Sequence, residues 1–154
     1  MEAVILIGIQ GVGKTTFYRE RFFDTHARIS LDVLKTRNRE RAFLQTCLST
    51  GQAFVVDNTN VRAAERAMYI EAARHAGFRV SGYFFDTPVR EALRRNRQRA
   101  GKAKIPVPGV LGTFKRLERP TPAEGFDELF VVSRDERDRF VIAAWTDARE
   151  GTNG

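Results

Sequence analysis

The sequence predicts an α/β fold: a mostly parallel central sheet flanked by helices, with an arginine-bearing helical lid. Two observations carry that prediction. Short continuous apolar runs at residues 3–7 and 53–56 read as strands buried on both faces, as in a parallel sheet. Helical segments stand between the strand candidates, and the first run passes through a glycine-rich turn directly into a helix. The 154 residues, 42% hydrophobic and 29% charged, suit one domain with its own core.

Each element follows in order. Residues 3–7 form the first strand, residues 8–13 a loop, and residues 14 to about 23 a helix. Residues 27–31 are a short strand candidate, followed by a helix over roughly 37–48 that closes at Ser49-Thr50-Gly51. The strand at 53–56 ends at Asp57, and Asn58-Thr59-Asn60 supplies turn and capping chemistry before a helix over about 61–75. Residues 78–85 form the next strand. Thr87-Pro88 starts a helix that runs to about 99, since proline suits the first helical position. Lysine, proline and glycine make 101–108 a loop, a further helix covers about 109–117, and 120–125 turns into a last strand at 129–132. This places one domain at residues 1–133, with the lid at about 95–117. An extension follows at 134–154, partly packed through the apolar run 140–145 and frayed at its tail.

Composition narrows the chemistry. One cysteine, Cys47, excludes an internal disulfide and a four-cysteine zinc site, and two histidines exclude a histidine-rich metal centre. No basic n-region precedes the first apolar run, and no run is long enough to cross a bilayer; the expectation is a cytoplasmic protein without a membrane segment. The net charge of +7 is concentrated: residues 90–119 hold ten basic and two acidic side chains, while the rest nets −1. Such an excess fits a polyanionic ligand or a solvated arginine-rich helix.

Gly8-Ile9-Gln10-Gly11-Val12-Gly13-Lys14-Thr15 matches the phosphate-binding loop pattern at every position, with a buried strand before it and a helix after it. Gly8, Gly11 and Gly13 permit backbone conformations and close approaches that a Cβ would block. Successive amides, those of Val12 and Thr16 included, then converge on phosphate oxygens at a helix N-terminus. Lys14 neutralises phosphate charge and the Thr15 hydroxyl is placed to coordinate Mg²⁺. ATP and Mg²⁺ are therefore the expected cofactors. A chain this short suits phosphoryl transfer, which mostly requires positioning and charge stabilisation.

Three more constellations bear on that chemistry. Asp32 lies just past a strand end, where ligands sit in an open parallel sheet; it is a general base for an acceptor hydroxyl or a helix cap, and position alone favours the cap. Asp57 closes a buried strand and is placed to hold Mg²⁺, with Asn58, Thr59 and Asn60 at the same rim for substrate contacts or turn chemistry. Arg95 and Arg99 share a helix face next to the lid loop and can grip phosphates, whereas Arg94 and Arg97 face elsewhere.

From about Val4 to Val132 these residues resemble the 5′-kinase domain of polynucleotide kinases, both the phage type and the animal bifunctional kinase/3′-phosphatase. The likeness rests on the phosphate loop with Thr16-Phe17, then Asp32, Asp57-Asn58-Thr59-Asn60, Arg95 and Arg99, Ile105-Pro106-Val107, and Pro120-Thr121…Glu124-Gly125-Phe126. It implies that Asp32 is the general base and that Arg95 and Arg99 grip the donor phosphates. Gln10 and Val12 stand where the family often has proline and serine, Leu31 where arginine commonly precedes the aspartate, and Lys35 where phage-type members hold the acceptor phosphate with arginine. The expected function is ATP-dependent transfer to a 5′-hydroxyl of DNA or RNA, with any other repair step left to separate partners. The alternatives are a small-molecule kinase and an ATP-binding regulatory module.

Overall fold

The computed structural model describes residues 1–99 and 104–146. The part of the expected lid loop at 100–103, Lys102 included, and the expected frayed tail at 147–154 lie outside the described residues.

A six-stranded sheet carries the molecule, in the order β2-β3-β1-β4-β5-β6. Its strands are β1 Glu2–Ile7, β2 Ala27–Ile29, β3 Phe54–Val56, β4 Arg79–Phe85, β5 Glu128–Arg134 and β6 Phe140–Ala144. The first five run parallel and β6 pairs antiparallel with β5. Between them lie α1 Lys14–Arg21, α2 Leu31–Leu34, α3 Arg37–Thr50, α4 Ala63–His75, α5 Val89–Arg97, α6 Val107–Arg116 and a single 3₁₀ turn at Pro122–Glu124. From Ala3 to Ile7 in β1, and throughout β3, the side chains are apolar and buried, as both covered sheet faces require. Ala3, Ile5 and Ile7 point into a core with Phe54, Val56, Tyr69 and Ile70 on one side. Val4 and Leu6 point into a core with Val12, Phe17, Val55 and Phe85 on the other.

The predicted fold class holds: this is the α/β phosphate-loop kinase arrangement, with the order of strands reversing direction at β1. One boundary changes. Strand β5 runs on to Arg134, and the segment set apart as an extension adds β6 to the same sheet. Phe140 packs edge-on against Phe17 at 5.2 Å and against Phe85 at 6.3 Å, so this hairpin contributes to the core next to the phosphate loop.

The Pro-Thr…Glu-Gly-Phe segment has a mechanical role. Glu124 completes a capping box with Thr121, and its carboxylate takes a two-pronged grip from the fully buried Arg66, at 2.8 and 3.1 Å. Arg66 also donates through Nη1 to the carbonyls of Asn60 and Val61, at 2.9 and 3.0 Å. The turn after β3 is thereby tied to α4 and to the 3₁₀ turn.

Candidate active site

Loops at the carboxyl ends of β1, β2 and β3 meet beside the lid to form a cavity of about 620 Å³. It is lined by Gln10, Gly13, Lys14, Thr15, Leu31, Asp32, Lys35, Asp57, Asn58, Thr59, Arg99 and Ile105. Residues spread over most of the sequence converge because the parallel sheet brings these strand ends to one edge.

The phosphate loop is held from behind. Gly11 and Gly13 adopt left-handed backbones, with φ of 87° and 95°. A Cβ on Gly11 would strike the Ala92 carbonyl of α5, and one on Gly13 would strike the Arg134 guanidinium of β5. Val12 buries its side chain, and the Gly8 N–H donates to the Thr59 carbonyl at 3.0 Å. Gly13 is the N-cap of α1 and has no side chain to cap it, so the first amides of the helix face the loop without a side-chain partner. Lys14 Nζ donates to the carbonyls of Gly8 and Ile9, both at 2.9 Å. Burial pushes its pKa down to about 8; Asp57 and Asp32 pull it upward and Arg99 pushes it further down. Thr16 is exposed on the first turn of α1, outside the residues lining the cavity.

Asp57 is buried at the end of β3. Its Oδ2 accepts the Thr15 hydroxyl at 3.0 Å and Arg28 Nε at 2.8 Å, and Arg28 Nη2 also donates to Thr15 Oγ1 at 3.3 Å. A hydroxyl beside a carboxylate is an oxygen donor set that fits Mg²⁺, which takes few protein ligands and fills the rest with phosphate and water oxygens. Among the described residues no three His, Cys, Asp or Glu side chains gather around one point, so a metal here would need those phosphate oxygens. Arg28 was not anticipated. Its period-two position in β2 sets it toward Asp57, but a lone arginine in a three-residue strand carries no signal of a partner 29 residues away.

Asp32 is the second residue of α2 and exposes its carboxylate to the cavity. The helix cap is Ser30, whose Oγ accepts the Asp32 N–H at 3.2 Å, so Asp32 does not serve as the cap. Lys35 ends the same helix with φ of 73° and lines the same cavity. Asn58 lines it too, accepting the Leu31 N–H at 2.9 Å.

Two expected site residues lie elsewhere. Asn60 is 1% exposed and turns inward, its amide donating to the Leu6 carbonyl at 2.8 Å. With a φ of 49° it ties the turn to β1 and is absent from the residues that line the cavity. Nor does it cap α4, whose N-cap is Arg62. Arg95 is absent from the cavity lining: it pairs with Glu91 on its own helix and with Asp138 in the turn between β5 and β6. Arg99, past the end of α5, does line it. Across the lid, Asn96 is fully buried and brackets Ile105, donating to its carbonyl and accepting its N–H at 2.9 Å. Gln10 reaches from the phosphate loop to Thr113 of α6 at 3.0 Å.

A complete phosphate loop on a parallel sheet, an aspartate closing the adjacent strand and a helical lid define the phosphate-loop kinase fold. The sequence model of the AAA domain family, AAA_33, matches residues 25–120, and the chain belongs to that family. A protein of Acanthamoeba polyphaga mimivirus named as a bifunctional polynucleotide phosphatase/kinase is 27% identical over 86% of this chain and 33% of its own length. The bifunctional polynucleotide phosphatase/kinase of Schizosaccharomyces pombe is 25% identical over 81% of this chain and 32% of its own. The chain thus spans about a third of these curated relatives, and both carry the names that the motif resemblance implied. Solved structures agree on the fold. A gluconokinase from Sinorhizobium meliloti superposes with a TM-score of 0.63 at 17% identity, covering 86% of this chain and 82% of that one. Chaetomium thermophilum Kti12 with ADP-AlF3 gives 0.64 at 18%, covering 88% and 92%. Among the described residues no helix is long and apolar enough to cross a membrane.

Proposed function

We propose that this chain is an ATP-dependent phosphotransferase that moves the γ-phosphate of ATP to the 5′-hydroxyl end of a DNA or RNA strand. The observation that carries this reading is the single cavity in which an exposed carboxylate, Asp32, faces a complete phosphate-binding loop. A module that only bound nucleotide would need no hydroxyl-facing base there.

The chemistry follows from the residues. The amides of the loop and the N-terminus of α1 receive the donor phosphates, with Lys14 and Arg99 adding positive charge along them. Asp32 accepts the proton of the attacking hydroxyl as the new P–O bond forms. The bond between the γ-phosphorus and the β,γ-bridging oxygen breaks, and the electron pair leaves with ADP. Thr15 and Asp57 would hold Mg²⁺, which when bound neutralises charge developing on the phosphate oxygens. Arg28 competes for the same Asp57 oxygen and keeps that carboxylate from standing unpaired. Lys35 is placed to hold the phosphate next to the reacting hydroxyl.

The names of the curated relatives and the +8 charge of residues 90–119 support a nucleic-acid acceptor over a neutral one. The test is transfer from γ-labelled ATP to 5′-hydroxyl oligonucleotides, set against a panel of nucleosides, sugars, sugar acids and small alcohols. Turnover of oligonucleotides that vanishes in Asp32→Asn upholds the reading. Turnover of a small molecule alone replaces it with a small-molecule kinase, and ATP binding without transfer replaces it with a regulatory module.

A further inference from the structure

The proposed chemistry needs Asp32 at a fixed place, yet it sits on a helix of only four residues. Its own backbone closes the turn, the N–H groups of Val33 and Leu34 donating to the Ser30 carbonyl and that of Lys35 to the Leu31 carbonyl, and two side-chain oxygens hold its first amides. The Asp32 N–H donates to Ser30 Oγ, and the Leu31 N–H donates to Asn58 Oδ1 at 2.9 Å. The second bond exists only while Asn58 offers Leu31 its oxygen and not its NH₂. The two ends of an amide side chain are nearly the same shape, so sterics alone do not choose between them.

The choice is made by Glu40, on α3. Its side chain is 2% exposed, and it reaches the cavity lining through a hydrogen bond with Asn58. A carboxylate only accepts hydrogen bonds. Oε2 accepts Asn58 Nδ2–H at 2.9 Å, while Oε1 accepts the Tyr69 hydroxyl at 2.6 Å and Arg37 Nη1 at 3.0 Å. Burial and the neighbouring carboxylate raise the pKa of Tyr69, which keeps that phenol a donor. With every partner of Glu40 a donor, Asn58 must turn its NH₂ toward Glu40 and its oxygen toward Leu31.

We infer that Glu40 is a positioning residue: its buried carboxylate sets the orientation of Asn58, which pins the Leu31 backbone and thereby aims Asp32 at the phosphate loop. This rests on the reading of Asp32 as general base. A merely structural Glu40, near the N-terminus of α3, would contribute through the helix dipole and leave turnover per folded molecule unchanged.

A double-mutant cycle separates the two. Glu40→Gln keeps the volume but replaces one acceptor with a donor. If that NH₂ faces Asn58, Asn58 must flip, and two donors then meet at Leu31. In Glu40→Gln/Asn58→Asp the new carboxylate accepts from both Gln and the Leu31 N–H, restoring the chain of bonds with reversed polarity. Expected for Glu40→Gln is a fall in kcat of about 10- to 100-fold, the scale of a misplaced reacting group, with KM for ATP unchanged. Hydrogen exchange at the Leu31 amide accelerates by about tenfold or more in the same variant. The double variant recovers Leu31 protection and exceeds both single variants in kcat. Asn58→Asp alone sets two carboxylates face to face and is also impaired. Wild-type kcat in Glu40→Gln, or effects of the two changes that simply multiply, overturns the role of Glu40 while leaving the reading of Asp32 intact. A wild-type chain that transfers to no hydroxyl overturns the reading of Asp32 and this role with it.

Discussion

Lys14 sits at the point where burial and charge oppose each other most directly. Desolvation brings its pKa down to about 8, so the ammonium form dominates below that pH and the neutral amine above it. Under the proposed reading the donor phosphates need the ammonium. The sign follows: on the alkaline side kcat/KM for ATP, which reports the free protein, falls as pH rises through about 8. The neighbours then move the inflection in opposite directions. Removing the cation that depresses Lys14, by Arg99→Gln, shifts it upward; removing the carboxylate that supports it, by Asp57→Asn, shifts it downward. A kcat/KM profile measured in the three proteins checks both shifts, and an inflection common to all three would detach Lys14 from the decline.

At the scale of elements, α5 distinguishes two arginines that look equivalent along the chain. Arg95 is drawn to the β5–β6 turn, where Asp138 also accepts Arg134, and Arg99 is presented to the cavity. Arg99→Ala is expected to lower transfer by about 10- to 10³-fold, below the effect of a dedicated arginine finger. If Arg95 reaches the donor only by leaving Asp138, then Asp138→Asn lowers KM for ATP. The gain is modest, about two- to fivefold, because exposed pairs are worth about 0.2–1 kcal/mol. Steady-state kinetics on the two variants decide it. The same pair shows what could be read without coordinates. The positions of the phosphate loop, Asp57 and Asn58 were legible because β1 and β3 are runs buried on both faces, and the residues at their carboxyl ends are then placed; Asp32 follows the shorter, partly exposed edge strand β2 and needed the motif as well. Arg95 was not separable from Arg99 because its partner Asp138 lies 43 residues on, in a hairpin that charged residues disguise. Glu40 passed as one more polar helix residue, since its burial depends on Tyr69 and Asn58 arriving from other elements. Asn60 looked like its neighbours in the motif; only its left-handed backbone turns it inward.

For the whole molecule, two consequences follow from how the ends of the sheet are tied and charged. Arg66 and Glu124 join α4 to the turn before β5 through a pair whose arginine is fully buried. Glu124→Ala leaves that guanidinium without its carboxylate and is expected to cost about 3–5 kcal/mol, the range for breaking one partner of a buried pair. Chemical denaturation measures it. The charge distribution bears instead on the acceptor. Oligonucleotide binding should weaken as salt rises, with a logarithmic slope near −0.7 for each phosphate contacted on a single strand. Lys35→Gly also relieves the left-handed backbone at that position, and it is expected to raise oligonucleotide KM and flatten the slope by about one unit while KM for ATP stays put. A neutral acceptor would show neither effect.

Trp145, the single tryptophan of the chain, follows directly on β6. Its indole lies 5.2 Å from the Arg119 guanidinium and 6.1 Å from the ring of Phe84, and its backbone N–H still donates to Leu129. The molecule therefore carries its own optical marker at the one antiparallel edge of the sheet. When that edge peels away, the indole passes into water and its emission moves to longer wavelength, whatever the helices are doing. Circular dichroism follows those helices separately. Denaturation curves that coincide would mean that the last strand and the phosphate-loop core break in one event. A fluorescence change that comes first would mean that Phe140 leaves Phe17 and Phe85, beside the phosphate loop, while most of the fold still stands.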